Sequence, residues 1–250
     1  MKQKDQETTA RLAKMTEPFI LRRKKSDVLK DLPEKLEIYL RLLLEWNTKM
    51  DLTAVEEEED LLDKHFADSL TVLRTDLVKP GASLVDVGTG AGFPGMVLAM
   101  ARPDLKVVLM DAQRKRLKFL ETVAAEAGVN NAEILHARAE DAARDRKHRE
   151  QYDIAAARAV APLNVLAEYL LPFVKVGGCA LCWKGPALKQ ELEAGRRAAH
   201  LLGGRLEMPV SCAVAGRDWE HTILPVRKTE RTAAAYPRKA GTPKAKPLGE

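Results

Sequence analysis

"LVDVGTGAGFPGMVLAM", residues 84–100, runs a β-branched apolar stretch into three alternating glycines and then into a second apolar run. That order reads as strand, tight turn, helix. Glycines in the first turn of a βα unit let the backbone come close to a ligand. The dinucleotide template G-x-G-x-x-G fails, because Phe93 stands where its third glycine would be. The phosphate loop G-x-x-x-x-G-K-[ST] does not occur either. What stands instead is Asp86-x-Gly88-x-Gly90-x-Gly92. An acid just before the first glycine repels a pyrophosphate and attracts an ammonium group.

Working outward, short β-rich runs (SLVDV, KVVLMD, AEILHA, YDIAAA, CALCW) alternate with helical segments such as RKRLKFLETVAAEAG and LNVLAEYLLPFV. Such alternation predicts an α/β fold with a mostly parallel sheet covered on both faces. Before it, apolar spacing predicts a helix over 32–50 with Pro33 in its first turn, and a second over 57–74 with an acidic start. After it, RLEMPVSCAV and EHTILPVRK read as a closing antiparallel pair. We divide the chain into a basic extension (1–35), a catalytic domain with N-terminal helices (36–227) and a Pro- and Lys-rich tail (228–250) expected to be mobile or laid on the surface.

The 250 residues suit one catalytic domain. No window has the apolar length of a membrane span, and the N-terminus lacks a signal-peptide core, so we expect a cytoplasmic protein. Three cysteines do not suggest a disulfide framework. Cys179 and Cys182, three apart in a strand, point to opposite faces and cannot readily share a metal. The net charge of +5 is peripheral: residues 1–35 hold ten Lys/Arg against six Asp/Glu, and residues 226–250 seven against two. Basic ends around a mildly acidic body suit a polyanion such as RNA, and they also suit solubilising tails.

The ligand follows from two acids. Asp86 fits an ammonium, and Asp111, ending the next strand in VVLMD, fits a ribose diol. S-adenosylmethionine carries both groups, which makes Asp86, Gly88, Gly90 and Asp111 candidate cofactor residues. The acceptor is narrowed by what is missing. No Pro-Cys pair offers the thiolate that cytosine C5 methylation needs, and the loop after the fourth strand reads ARAVAPL rather than [DN]-P-P-[YF]. An acceptor with its own lone pair, such as guanine N7, needs neither nucleophile nor general base, only in-line placement and exclusion of water.

Several motifs in order, WNTKMDLTAV, KHFADSL, VDVGTGAGFPGMVLAMARPDLKVVLMDAQRKRLKFL, RAED, ARAVAPL, KG and YPRKAGTPKAKPL, resemble the RsmG (GidB) family of bacterial 16S rRNA guanine-N7 methyltransferases. The resemblance covers about residues 35–248. It implies a Rossmann-like seven-stranded sheet with a short N-terminal helical part, S-adenosylmethionine as donor, and 16S rRNA of the small ribosomal subunit as substrate. It further implies that Gly88 and Phe93 line the methionine and adenosine site, that Ala139 and Glu140 contact adenine, and that Arg158 borders the cofactor. Asp51 departs from the family, which usually has Asn there.

Residues 11–37 resemble instead a short segment of SNF2-type helicases, in which Arg22, Arg23, Lys24 and Lys25 could add a nucleic-acid contact or simply lie in solvent. His65, Asp68 and Ser69 share a helical face and could meet the target guanine or brace one another. Lys184, just past the fifth strand, lies at the sheet edge where open α/β sheets bind ligands; with Arg158 it is expected to border the reaction site and to contact RNA, the alternative being a simple exposed lysine. Arg114, Lys115, Arg116 and Lys118 form a basic helix start near Asp111. No metal-ligand spacing is present, so no metal is expected. The resulting expectation is a monomeric rRNA methyltransferase; the alternatives are a small-molecule methyltransferase or a non-catalytic nucleic-acid-binding module.

Overall fold

A computed structural model of the chain describes residues 2–22, 30–55, 57–158, 161–214, 217–219 and 221–250. Its strands are β1 (Ser83–Val87), β2 (Lys106–Asp111), β3 (Ala132–His136), β4 (Tyr152–Arg158), β5 (Val174–Lys184), β6 (Gly204–Leu206), β7 (Val210–Ser211) and β8 (Thr222–Lys228). The helices are α1 (Lys2–Arg22), α2 (Leu32–Asn47), α3 (Glu58–Leu61), α4 (Asp68–Leu70), α5 (Gly95–Ala101), α6 (Arg114–Glu126), α7 (Ala139–Ala142), α8 (Leu163–Leu170), α9 (Leu188–Leu201) and α10 (Thr242–Ala245).

The sheet runs β3-β2-β1-β4-β5-β8-β6, with β7 also paired to β8. Strands β1 to β5 are parallel to their neighbours and β8 is antiparallel to β5. Because side chains alternate along each strand, two cores form. On one face Leu84, Leu109, Ile154 and Leu181 pack against Leu36, Tyr39, Val97 and Phe119. On the other, Val85, Met110, Ala155 and Cys182 pack against Leu163, Leu166, Ala198 and Leu202. Cys179 belongs to the first core and Cys182 to the second, as the spacing predicts. Burial pushes both thiols up to about 12, so neither is a thiolate at neutral pH.

Two expectations change in detail. The seven strands of the sheet path are joined by an eighth, because RLEMPVSCAV is not one strand: Pro209 lacks an N–H, and the run splits into β6 and β7, each pairing with a different end of β8. The stretch 57–74 is helical but not uniform. It passes from α3 through a π-helical segment, Leu62–Ala67, to α4 and a 3₁₀ turn, Thr71–Arg74. Helix α1 joins the first core through Leu12, which is fully buried. Arg11 of α1 reaches Asp63 (2.7 Å) and Glu59 (2.9 Å). Arg23, Lys24 and Lys25 lie outside the described residues.

Candidate methyl-transfer site

At the carboxyl ends of the parallel strands lies a cavity of about 900 Å³. Its lining includes Gly88, Gly90, Phe93, Asp111, Ala139, Glu140 and Arg158, together with Thr53, His65, Arg116 and Tyr169. The glycine turn is shaped by backbone demands. Gly90 sits at φ +59°, and a Cβ there would have no protein atom nearer than 4.0 Å, so the position faces open cavity. The Asp111 carboxylate holds the turn: Oδ2 accepts from the Gly90 N–H (3.0 Å) and Oδ1 from Gln113 N–H (2.7 Å). Each oxygen keeps a lone pair for a ligand hydroxyl. Glycines open to the cavity and an acid at the end of β2 fit a nucleoside donor.

Asp86 departs from its expected place. It is fully buried and does not line the cavity; Oδ2 accepts from the Thr89 hydroxyl (2.6 Å) and from Gly95 N–H (2.8 Å). A Cβ on Gly95 would come within 2.7 Å of that oxygen, so this glycine is fixed by the acid behind it. Oδ1 has no partner. Burial first, only partly offset by the Thr89 and Gly95 hydrogen bonds, raises this carboxyl to about 6. Asp86 therefore braces the turn from within rather than reaching an ammonium in the cavity. A short acid pointing inward near the end of β1 cannot also face the sheet edge.

Arg158, ending β4, ties the helical stretch to the sheet. Its Nη1 donates to the Lys64 carbonyl (2.9 Å) and to Asp68 Oδ2 (3.2 Å), and its Nη2 donates to His65 Nδ1 (2.9 Å). A guanidinium has no acceptor, so the His65 proton sits on Nε2, which donates to Thr53 Oγ1 (2.8 Å). Burial, and next the Arg158 charge, lower His65 to about 3. The imidazole is neutral. Its ring stacks on Phe93 (4.8 Å), and the Arg158 guanidinium lies over the same ring (5.1 Å).

His65 and Arg158 also line a second cavity, of about 360 Å³, with Asp68, Lys184, Trp183, Glu191, Trp219 and His221. Asp68, 1% exposed, accepts from Arg158 and, at Oδ1, from His221 Nδ1 (3.3 Å). Lys184 is already engaged, with its ammonium 2.5 Å from Glu191 Oε2 and 3.2 Å from the Ala161 carbonyl. Ser69 does not enter this wall: its hydroxyl donates to the His65 carbonyl (2.5 Å) inside the helix. The sequence reading missed Glu191, Trp219 and His221. Each comes from a segment after β5 that carries no recognisable spacing. Trp219 and His221 stack at 5.2 Å.

A family model described as rRNA small subunit methyltransferase G matches residues 32–219. The chain belongs to that family. It is 46% identical over 215 residues to the ribosomal RNA small subunit methyltransferase G of Alkaliphilus metalliredigens, covering 86% of this chain and 90% of that one. With the enzyme of the same name from Lactobacillus helveticus it shares 43% identity over 236 residues, covering 93% and 98%. Among solved structures it resembles a SAM-dependent methyltransferase from Aquifex aeolicus (TM-score 0.50, 21% identity, 67% of this chain and 92% of that one). That likeness is one of fold. Among the described residues no cluster of His, Cys, Asp and Glu could hold a metal, and no helix is long and apolar enough to cross a membrane.

Proposed function

We propose that this chain transfers a methyl group from S-adenosylmethionine to N7 of a guanine in 16S rRNA. One observation carries the reading. The larger cavity and the smaller one share His65 and Arg158, so a nucleoside donor and a flat acceptor would meet across one pair of side chains. S-adenosylmethionine supplies an electrophilic methyl on a sulfonium. Asp111 would hold its ribose, and Gly88 and Gly90 would leave room for its backbone-facing side.

The acceptor side is read in the same way. The smaller cavity offers Trp219 and His221 as a stacking pair and the Glu191 carboxylate as an acceptor for the N1–H and exocyclic N–H donors of guanine. A guanine N7 attacks with its own lone pair, so no side chain has to remove a proton first. The neutral His65 and the anchored Arg158 would fix the junction, with the Arg158 charge already balanced by Asp68. The protein thus works by placement.

The test is incubation with labelled donor and unmodified small subunits, mapping of the labelled nucleotide, and reductive aniline cleavage, which breaks RNA at N7-methylguanine. Label on another nitrogen, or none on the small subunit, would refute the reading. Naked 16S rRNA in parallel tells whether an assembled particle is required.

A further inference from the structure

The motif YPRKAGTPKAKPL, at 236–248, forms no part of the strand-end chemistry, yet it is fastened to the domain along its length. Arg149 donates to the carbonyls of Thr232 (2.7 Å) and Tyr236 (2.8 Å), and Arg144 to that of Pro237 (2.6 Å). Arg238 then forks onto Glu168, whose side chain is wholly buried: Nη2 lies 2.6 Å from Oε2, Nε 3.0 Å from Oε1, and the Arg238 backbone N–H donates to Oε1 as well (2.8 Å). A buried carboxylate demands such a partner, so the tail is an integral part of this core. Farther on, Asn164 donates to the Leu248 carbonyl (3.0 Å) and Arg197 to that of Gly249 (2.7 Å).

Between these fastenings Gly241, Lys244 and Ala245 line the larger cavity. The Gly241 N–H donates to Glu140 Oε1 (2.8 Å), the carboxylate that the family resemblance sets beside adenine. The order of strands says which part of a donor would lie there. Arg158 ends β4, the glycine turn comes after β1, Asp111 ends β2, and Ala139 and Glu140 come after β3, and these strands are neighbours in that order. With the sulfonium at the Arg158 junction and the ribose at Asp111, the adenine falls beyond Asp111, beside Glu140 and the tail.

We infer that Gly241–Ala245 is a wall of the donor site, set against the adenosine end of S-adenosylmethionine and held in place by Glu140 and the Arg238–Glu168 pair. Glu140 is thereby a positioning residue that acts through the tail. The inference rests on the reading that this cavity holds S-adenosylmethionine.

A chain ending at Lys239 keeps Arg238 on Glu168 and removes the wall together with the Leu248 and Gly249 fastenings beyond it. Calorimetry should show S-adenosylmethionine and S-adenosylhomocysteine binding at least about tenfold more weakly to it than to the full chain, one decade in Kd being the worth of about one good hydrogen bond. Glu140→Ala should reproduce much of the loss, while Glu140→Gln, which keeps an oxygen for the Gly241 N–H, should restore most of it. In the full chain, either ligand should slow hydrogen exchange at the amides of 241–245, which a purely structural tail would not show; this readout holds even where the shortened chain fails to fold. Unchanged affinity in the shortened chain, or unchanged exchange in the full one, overturns the inference and leaves the enzyme reading intact. Failure of the full chain to bind either ligand overturns the cavity reading itself, and the wall with it.

Discussion

Asp86 shows how a site residue can be legible in kind and misread in role. An acid before a glycine turn signals a ligand-binding βα unit, but only packing decides whether the carboxylate faces the ligand or the turn. Its pH behaviour follows from burial. The folded carboxyl titrates near 6 against an ordinary value of 3.8, so between those values the native chain holds a proton that the unfolded chain has lost. The associated stability is present below about pH 4 and is lost as pH rises through about 6. Asp86→Asn cannot ionise, so its stability relative to the parent should rise by up to about 3 kcal/mol between about pH 4 and pH 7. Urea unfolding at several pH values measures this, and a flat difference would show that the carboxylate is not under strain. Arg158 tests the junction. A lysine there cannot make the three-way fork to Lys64, Asp68 and His65, so Arg158→Lys should lower kcat by about ten- to a hundredfold and donor affinity by clearly less, since Arg158 also lines the donor cavity. An equal fall in donor affinity would place Arg158 in donor binding instead.

At the scale of elements, the parallel strands were legible because each buried strand is a short apolar run, and the β1 turn because its glycines are dictated by backbone shape. The helical stretch 57–74 was legible only as helix. Apolar spacing fixes which face is buried, while a π-helical segment depends on where the i→i+5 hydrogen bonds fall, which apolar spacing does not encode. Helix α1 was the larger surprise. A segment resembling part of another protein and rich in charge reads as an appendage, yet Leu12 is fully buried and Arg11 meets Asp63, which also accepts from Arg217 Nε (2.7 Å). Asp63 thus joins α1 and the segment before Trp219 to the helix that carries His65. Leu12→Ala should cost about 2–4 kcal/mol in urea denaturation, as for other core leucines. A cost below about 0.5 kcal/mol would show that α1 packs only loosely on the domain.

For the whole molecule, charge is distributed differently from what the sequence totals suggest. The basic end looked like an arm for RNA, but Arg227 pairs with Glu207, Lys228 is buried against the carbonyls of Leu171 and Leu202, and Arg238 is bound to Glu168. Composition counts these cations without seeing that they are internal glue. The same correction applies to Lys184, which Glu191 already neutralises. Exposed cations are still found near the cavity mouths: Arg138 and Lys244 line the donor cavity, and Arg114, Lys115 and Lys118 at the start of α6 are exposed shortly after Asp111. A polyanion brought to the acceptor cavity would pass this face, and pairing with its phosphates would release counterions. Changing Arg114, Lys115 and Lys118 together to Glu should therefore weaken binding to small subunits and make its salt dependence shallower, by roughly 0.7–0.9 in slope for each phosphate no longer neutralised. Arg116 is left in place because it lines the donor cavity, so the calorimetric Kd for S-adenosylmethionine should not move. Unchanged subunit affinity and slope in the triple variant would mean that RNA reaches the junction of His65 and Arg158 from the side of α9 and β8 instead.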